Sequence, residues 1–169
     1  MKSFKGLLKS FVYAFRGIAF AIVNERNMRI HLCFCVYMFS FLLAFDFFEV
    51  SRTQLALLAV ACGAVMSAEI INTALERAVD LACKEHNELA KIAKDCAAGA
   101  VLVAAIFAVI CGISILWQPE AFSAMFDYYK THPAMLAALV ISLTVSLIFI
   151  FSGKVGNIKK ISIRKHKND

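Results

Sequence analysis

Proline is scarce in this 169-residue chain: there are two, Pro119 and Pro133, and none in the first 118 residues. Proline removes a helix donor and clashes with the preceding turn, so nothing of that kind breaks a helix before residue 119. Charge is scarce as well. Asp, Glu, Lys and Arg make up 18 % of the chain against 61 % hydrophobic residues, with a mean hydropathy of +0.74. A soluble domain is about a quarter charged. This balance excludes an ordinary soluble enzyme and predicts an all-α integral membrane protein of one domain's length.

Other absences narrow the chemistry. The glycines (6, 17, 63, 99, 112, 153 and 156) include no pair spaced as the phosphate loops G-x-x-x-x-G-K or G-x-G-x-x-G require, so a nucleotide site must be built from helix side chains. The six cysteines contain no C-x-x-C pair and fall mostly in apolar runs, which reads as small buried hydrophobes rather than a zinc site. The four histidines (31, 86, 132 and 166) are scattered and supply no His/Ser/Arg set for a phosphatase. The amino end lacks the short apolar core and cleavage site of a signal peptide. The net charge of +6 comes from basic residues flanking apolar segments without a nucleic-acid motif, a pattern that suits anionic lipid and not nucleic acid.

Four apolar segments and one amphipathic segment remain. Residues 3–24 carry an apolar stripe with Lys5, Lys9, Tyr13 and Arg16 opposite, the pattern of a helix lying in the membrane interface. Spans are expected at about 30–48, 51–84, 89–117 and 134–151. Ser51 and Gln54 have the spacing of a capping box at the start of the second span. That helix, at ~1.5 Å per residue, runs close to 50 Å, so its last turns must leave a hydrocarbon core of ~30 Å. With the amino terminus inside, 16 of the 18 lysines and arginines lie on the cytoplasmic side and only Arg52 and Lys130 lie outside.

The emergent part of the long helix reads "EIINTALERAVD". At ~100° per residue, Glu69, Asn72, Glu76 and Asp80 share an arc of roughly 80°. A solvated face accounts for Asp80 but not for Glu69, which lies near the hydrocarbon boundary, where ionisable groups are costly and functional by default. A chain reversal near residue 86 brings Lys94 and Asp95 back to the height of Glu76 and Asp80. Carboxylates beside a lysine suit a magnesium-bound polyphosphate, because oxygen ligands hold the hard cation and the lysine neutralises a phosphate. Glu25, in "NERN" before the first span, adds a carboxylate at the same surface. A small transporter or channel subunit is the alternative from another class; it requires acidic residues spread through the membrane depth, whereas these gather at one edge.

The run from Glu69 to Asp80, followed by "AKDCAAGAV" at 93–101, with "YAFRG" at 13–17 and "NERN" at 24–27, resembles the small bacterial membrane lipid kinases of the prokaryotic diacylglycerol kinase and undecaprenol kinase family. The resemblance covers about residues 5–117. It implies an amino-terminal surface helix and three membrane helices, assembled as a homotrimer with sites shared between neighbours. It implies Glu69 as the general base at the lipid substrate and Glu25 and Glu76 as magnesium ligands, with Asn72 supporting the centre. Tyr13, Glu85, His86, Asn87, Lys94 and Asp95 would line the ATP site together with Glu25 and Glu76. The activity implied is phosphorylation of a membrane lipid alcohol, undecaprenol or diacylglycerol, by ATP at the cytoplasmic face of a bacterial inner membrane. "NERNMRIHL", Thr73 and Gly99 look closer to the undecaprenol type. The chain departs from the pattern after its kinase domain (1–120), in an external loop and fourth membrane helix (121–152) and a basic cytoplasmic tail (153–169), read as an accessory anchor.

Overall fold

The computed structural model describes residues 2–83, 85 and 87–152, with side chains from Gly6 onward; Lys84, His86 and the tail from residue 153 lie outside the described residues. Six helices follow one another: α1 (Lys2–Asn24), α2 (Arg26–Ala44), α3 (Arg52–Ala82), α4 (Glu88–Leu116), α5 (Pro119–Thr131) and α6 (Pro133–Phe151). Among the described residues there is no strand. α2, α3, α4 and α6 are long and apolar enough to cross a membrane, and so is α1 over Gly6–Asn24, although Lys9, Tyr13 and Arg16 run along it.

The central hairpin is α3 against α4, and it forms because both helices are long, apolar and joined by a short reversal. α3 starts where the sequence places it. Ser51 Oγ accepts from the Gln54 backbone and Gln54 Oε1 accepts from the Ser51 backbone, a reciprocal cap that satisfies two orphan donors. α4 starts on Asn87, whose Oδ1 accepts from the backbone N–H groups of Leu89 and Ala90. α2 packs on α3, and α1 packs on both.

The segment expected as an external loop is instead mostly helix, α5. Pro119 occupies its first turn, where a missing N–H costs nothing. Its aromatic residues need partners that come from elsewhere in the chain: Phe122 meets Phe48 edge-on, and Tyr128 meets Phe45 and Phe47. Gln118 joins the same region by exchanging two hydrogen bonds with the Glu49 backbone, at 3.0 and 3.1 Å. The aromatic cluster thus gathers the loops at the end of the bundle opposite Glu25.

α6 runs back along α2 to the Glu25 end. Tyr37 Oη stands 3.1 Å from Ser142 Oγ and 3.0 Å from Ser146 Oγ, a polar bridge between two otherwise apolar helices. At the far end, the buried Arg29 donates to the Ile150 carbonyl of α6 and to the Ile22 and Val23 carbonyls of α1. The fourth apolar segment is therefore bonded into the bundle rather than merely tethered to it. Most large apolar side chains stay on the surface, and α6 buries none of its residues, as expected of helices that face lipid or another subunit. The cysteines are all unpaired, and none is fully buried as the apolar runs suggested: Cys33, Cys35, Cys62 and Cys111 are half-buried, and Cys83 and Cys96 are exposed.

Candidate functional site

Glu69 lies at the eighteenth position of α3, about 26 Å along the helix from Arg52 at ~1.5 Å per residue. Only 2 % of it is exposed, and Thr73, one turn on, is buried beside it. The Thr73 hydroxyl donates to the Glu69 backbone carbonyl at 2.9 Å, and so is spent within the helix. Carboxylate oxygen Oε1 of Glu69 is buried with no hydrogen-bond partner among the described residues. A buried acceptor left bare is costly, so it marks a place where a proton-bearing partner is due.

Continuing along α3, Asn72 Nδ2 donates to Glu76 Oε1 at 3.0 Å, while Asn72 Oδ1 is a second buried acceptor without a partner. One stripe of α3 thus carries two bare acceptors and a held carboxylate. Asp80 follows one turn later, in the part of α3 that extends beyond a hydrocarbon core. Lys94, on α4, reaches back across the hairpin and binds the Asp80 carboxylate, as the register of the reversal predicts. That hydrogen bond, reinforced by the charges of Lys94 and Arg77, holds the Asp80 carboxyl below the usual carboxylate range.

The other expected residues are less closely gathered. Glu25, at the junction of α1 and α2, pairs with Arg77 of α3 at 3.3 Å, which ties it to the same stretch of α3 but not to Glu76 itself. Tyr13 is 62 % exposed on α1, with the Arg16 guanidinium 5.9 Å from its ring centroid. Asp95 is exposed one position on from Lys94, about 100° further round α4. Asn87 is occupied as the α4 cap, and Glu85 is exposed in the preceding bend. His86 lies outside the described residues. Among the described residues no three His, Cys, Asp or Glu side chains are gathered in one chain around an ion position. The donors present are nevertheless hard oxygens, Glu25, Glu76 and the bare Asn72 Oδ1, which are the type a magnesium ion takes.

One residue near the centre carried no sequence signal. His31 of α2 brings Nε2 to 3.6 Å from Glu69 Oε1. His31 also stands at one end of an apolar cleft of about 440 Å³ between α2, α3 and α4, which passes Phe34, Met38, Val65 and Ala108 to reach Trp117. The contact joins residues 38 apart in sequence, and only the packing of α2 on α3 makes it.

Comparison with known proteins identifies the family of the chain. The sequence model of prokaryotic diacylglycerol kinase matches residues 12–116, which contain every expected site residue. A diacylglycerol kinase of Synechocystis sp. is 46 % identical over 114 residues, 67 % of this chain and 63 % of that protein, so the match spans less than two thirds of it. An undecaprenol kinase of Bacillus subtilis is 40 % identical over 109 residues, 63 % of this chain and 85 % of that protein. A diacylglycerol kinase of Escherichia coli is 32 % identical over 118 residues, 68 % of this chain and 92 % of that protein. No solved structure matches the chain.

Proposed function

The chain belongs to the prokaryotic diacylglycerol kinase family, and from that premise we propose that it transfers the γ-phosphate of ATP to the hydroxyl of a membrane lipid alcohol. The observation that carries this reading is Glu69: a buried carboxylate with a bare oxygen, on the helix face that also carries Glu76 and leads to the Lys94–Asp80 pair. Along α3, Glu69 precedes Glu76 by seven residues, ~10 Å at ~1.5 Å per residue. One helix therefore bridges a lipid hydroxyl at the membrane edge and a nucleotide in water. α1 lies in the interface beside it, and the site faces the cytoplasm, where the basic residues gather and ATP is available.

Phosphoryl transfer asks for positioning and charge neutralisation more than for covalent chemistry by the protein. Glu69 takes the hydroxyl proton as the lipid oxygen attacks the γ-phosphorus. The new O–P bond forms, the bond from the γ-phosphorus to the bridging oxygen breaks, and ADP leaves with that electron pair. The proton on Glu69 then returns to water. Glu76 and Glu25 would hold magnesium, which when bound neutralises the phosphate oxygens. Lys94 neutralises phosphate from the α4 side, and Tyr13, Glu85, His86, Asn87 and Asp95 line the nucleotide. Asn72 keeps Glu76 oriented. A homotrimer accommodates this set, because Tyr13 and Asp95 are exposed in the single chain and are free to serve a neighbour's site.

The relatives' names divide between two acceptors, and we favour undecaprenol on the "NERNMRIHL" segment with Thr73 and Gly99. The test is to give purified protein, magnesium and γ-labelled ATP undecaprenol and diacylglycerol side by side. Label should enter lipid, and faster with undecaprenol. No labelled lipid from either, or from a total bacterial lipid extract, would end the kinase reading.

A further inference from the structure

We infer that His31 is a positioning residue for Glu69: its Nε2–H holds the Oε1 oxygen and thereby fixes which carboxylate oxygen faces the lipid hydroxyl. The inference rests on the assignment of Glu69 as the base.

Elimination around the carboxylate supports it. Glu69 Oε1 is buried and has no hydrogen bond. Among the described residues, the neighbouring donors Arg29, Thr73 and Asn72 are committed elsewhere. Arg29 spends Nε, Nη1 and Nη2 on the carbonyls of Ile22, Val23 and Ile150. The Thr73 hydroxyl is bonded to the Glu69 backbone, and the Asn72 amide to Glu76. His31 Nε2 remains, 3.6 Å from the bare oxygen. That separation exceeds a hydrogen bond of ~2.7–3.2 Å by less than one ångström. Catalytic hydrogen bonds are often long before substrate arrives and tighten in the complex. A base held by a third group is also the general logic of an activated hydroxyl.

The location of His31 adds a second reason. It stands at the end of the apolar cleft that runs between α2, α3 and α4 to Trp117, so an apolar chain lying in that cleft would bring its polar head toward the His31–Glu69 pair. Holding the carboxylate there matters, because a displacement of ~1 Å at a reacting centre costs about 10²-fold in rate.

The experiment compares His31→Leu, which removes the donor and keeps an apolar shape, with His31→Gln, whose amide N–H can restore it. Single-turnover rates, KM for ATP and magnesium-dependent ATP binding are measured for both, alone and in a Glu69→Gln background. His31→Leu should lower the rate by ~10–100-fold with ATP binding and KM for ATP unchanged. His31→Gln should recover most of that loss, and His31→Leu should add nothing once Glu69 is Gln. Full activity in His31→Leu, or an undiminished further loss in the Glu69→Gln background, would overturn the positioning role while leaving Glu69 as the base. Equal losses in the Leu and Gln variants, accompanied by a lower Tm of the detergent-solubilised protein, would assign His31 to packing and overturn it too. A Glu69→Gln enzyme with wild-type turnover would reject the base itself, a distinguishable result.

Discussion

Arg29 of α2 donates from Nε and Nη2 to a single acceptor, the carbonyl oxygen of Ile150 in the last turn of α6, at 3.1 and 3.0 Å. Its third nitrogen, Nη1, holds the Val23 and Ile22 carbonyls at the end of α1, at 2.9 and 3.2 Å. Cations suit helix carboxyl ends, where carbonyls lack partners and the helix dipole is negative. One guanidinium fork therefore fastens two helix ends beside Glu25. A lysine cannot reproduce that fork. Arg29→Lys should lower the Tm of the solubilised protein, since part-buried carbonyls lose hydrogen bonds to a charged donor, each worth ~1.5–3 kcal/mol at most. A variant with unchanged Tm would show that the fork is not what holds these ends.

Removing α6 by ending the chain after His132 tests the same contact from the other side. Arg29 then loses Ile150 but keeps α1, and every proposed site residue remains. The truncated protein should bind ATP and transfer phosphate, with a lower Tm. Loss of ATP binding in an otherwise intact assembly would make α6 part of the site.

The proposed topology, with the site on the cytoplasmic side, rests on the 16-to-2 distribution of basic residues. Cys83 is exposed near the α3–α4 reversal, and Asp127 is exposed on α5. In intact cells a membrane-impermeant thiol reagent should leave Cys83 unlabelled and react with an Asp127→Cys variant. Labelling of Cys83 from outside would put the proposed ATP site on the wrong side of the membrane.

The parts of this molecule visible in the sequence are those fixed by local period and short-range chemistry. The Glu69, Asn72, Glu76 and Asp80 stripe follows from 3.6 residues per turn, and the Ser51–Gln54 cap from a three-residue spacing. Lys94 meeting Asp80 needs only the rise per residue and the place of the reversal. α5 was not legible, because some of its aromatic contacts are to partners 70 or more residues away, such as Phe122 on Phe48 and Tyr128 on Phe45. The fork of Arg29 onto α6, 121 residues on, has no sequence period at all. His31 likewise looked like one of four scattered histidines until α2 packed against α3.

The central claim is that α3 joins two tasks, with Glu69 acting on the lipid hydroxyl and Glu76 on the magnesium-bound nucleotide. Calorimetric Mg-ATP binding measured beside single-turnover transfer, for Glu69→Gln and Glu76→Gln, tests it most directly. Glu69→Gln should bind nucleotide normally while transfer falls ~10²–10⁴-fold, as for a lost general base. Glu76→Gln should lose both, because the amide cannot supply the charge the cation needs. Normal binding in Glu76→Gln together with abolished binding in Glu69→Gln would contradict the account by reversing the two roles.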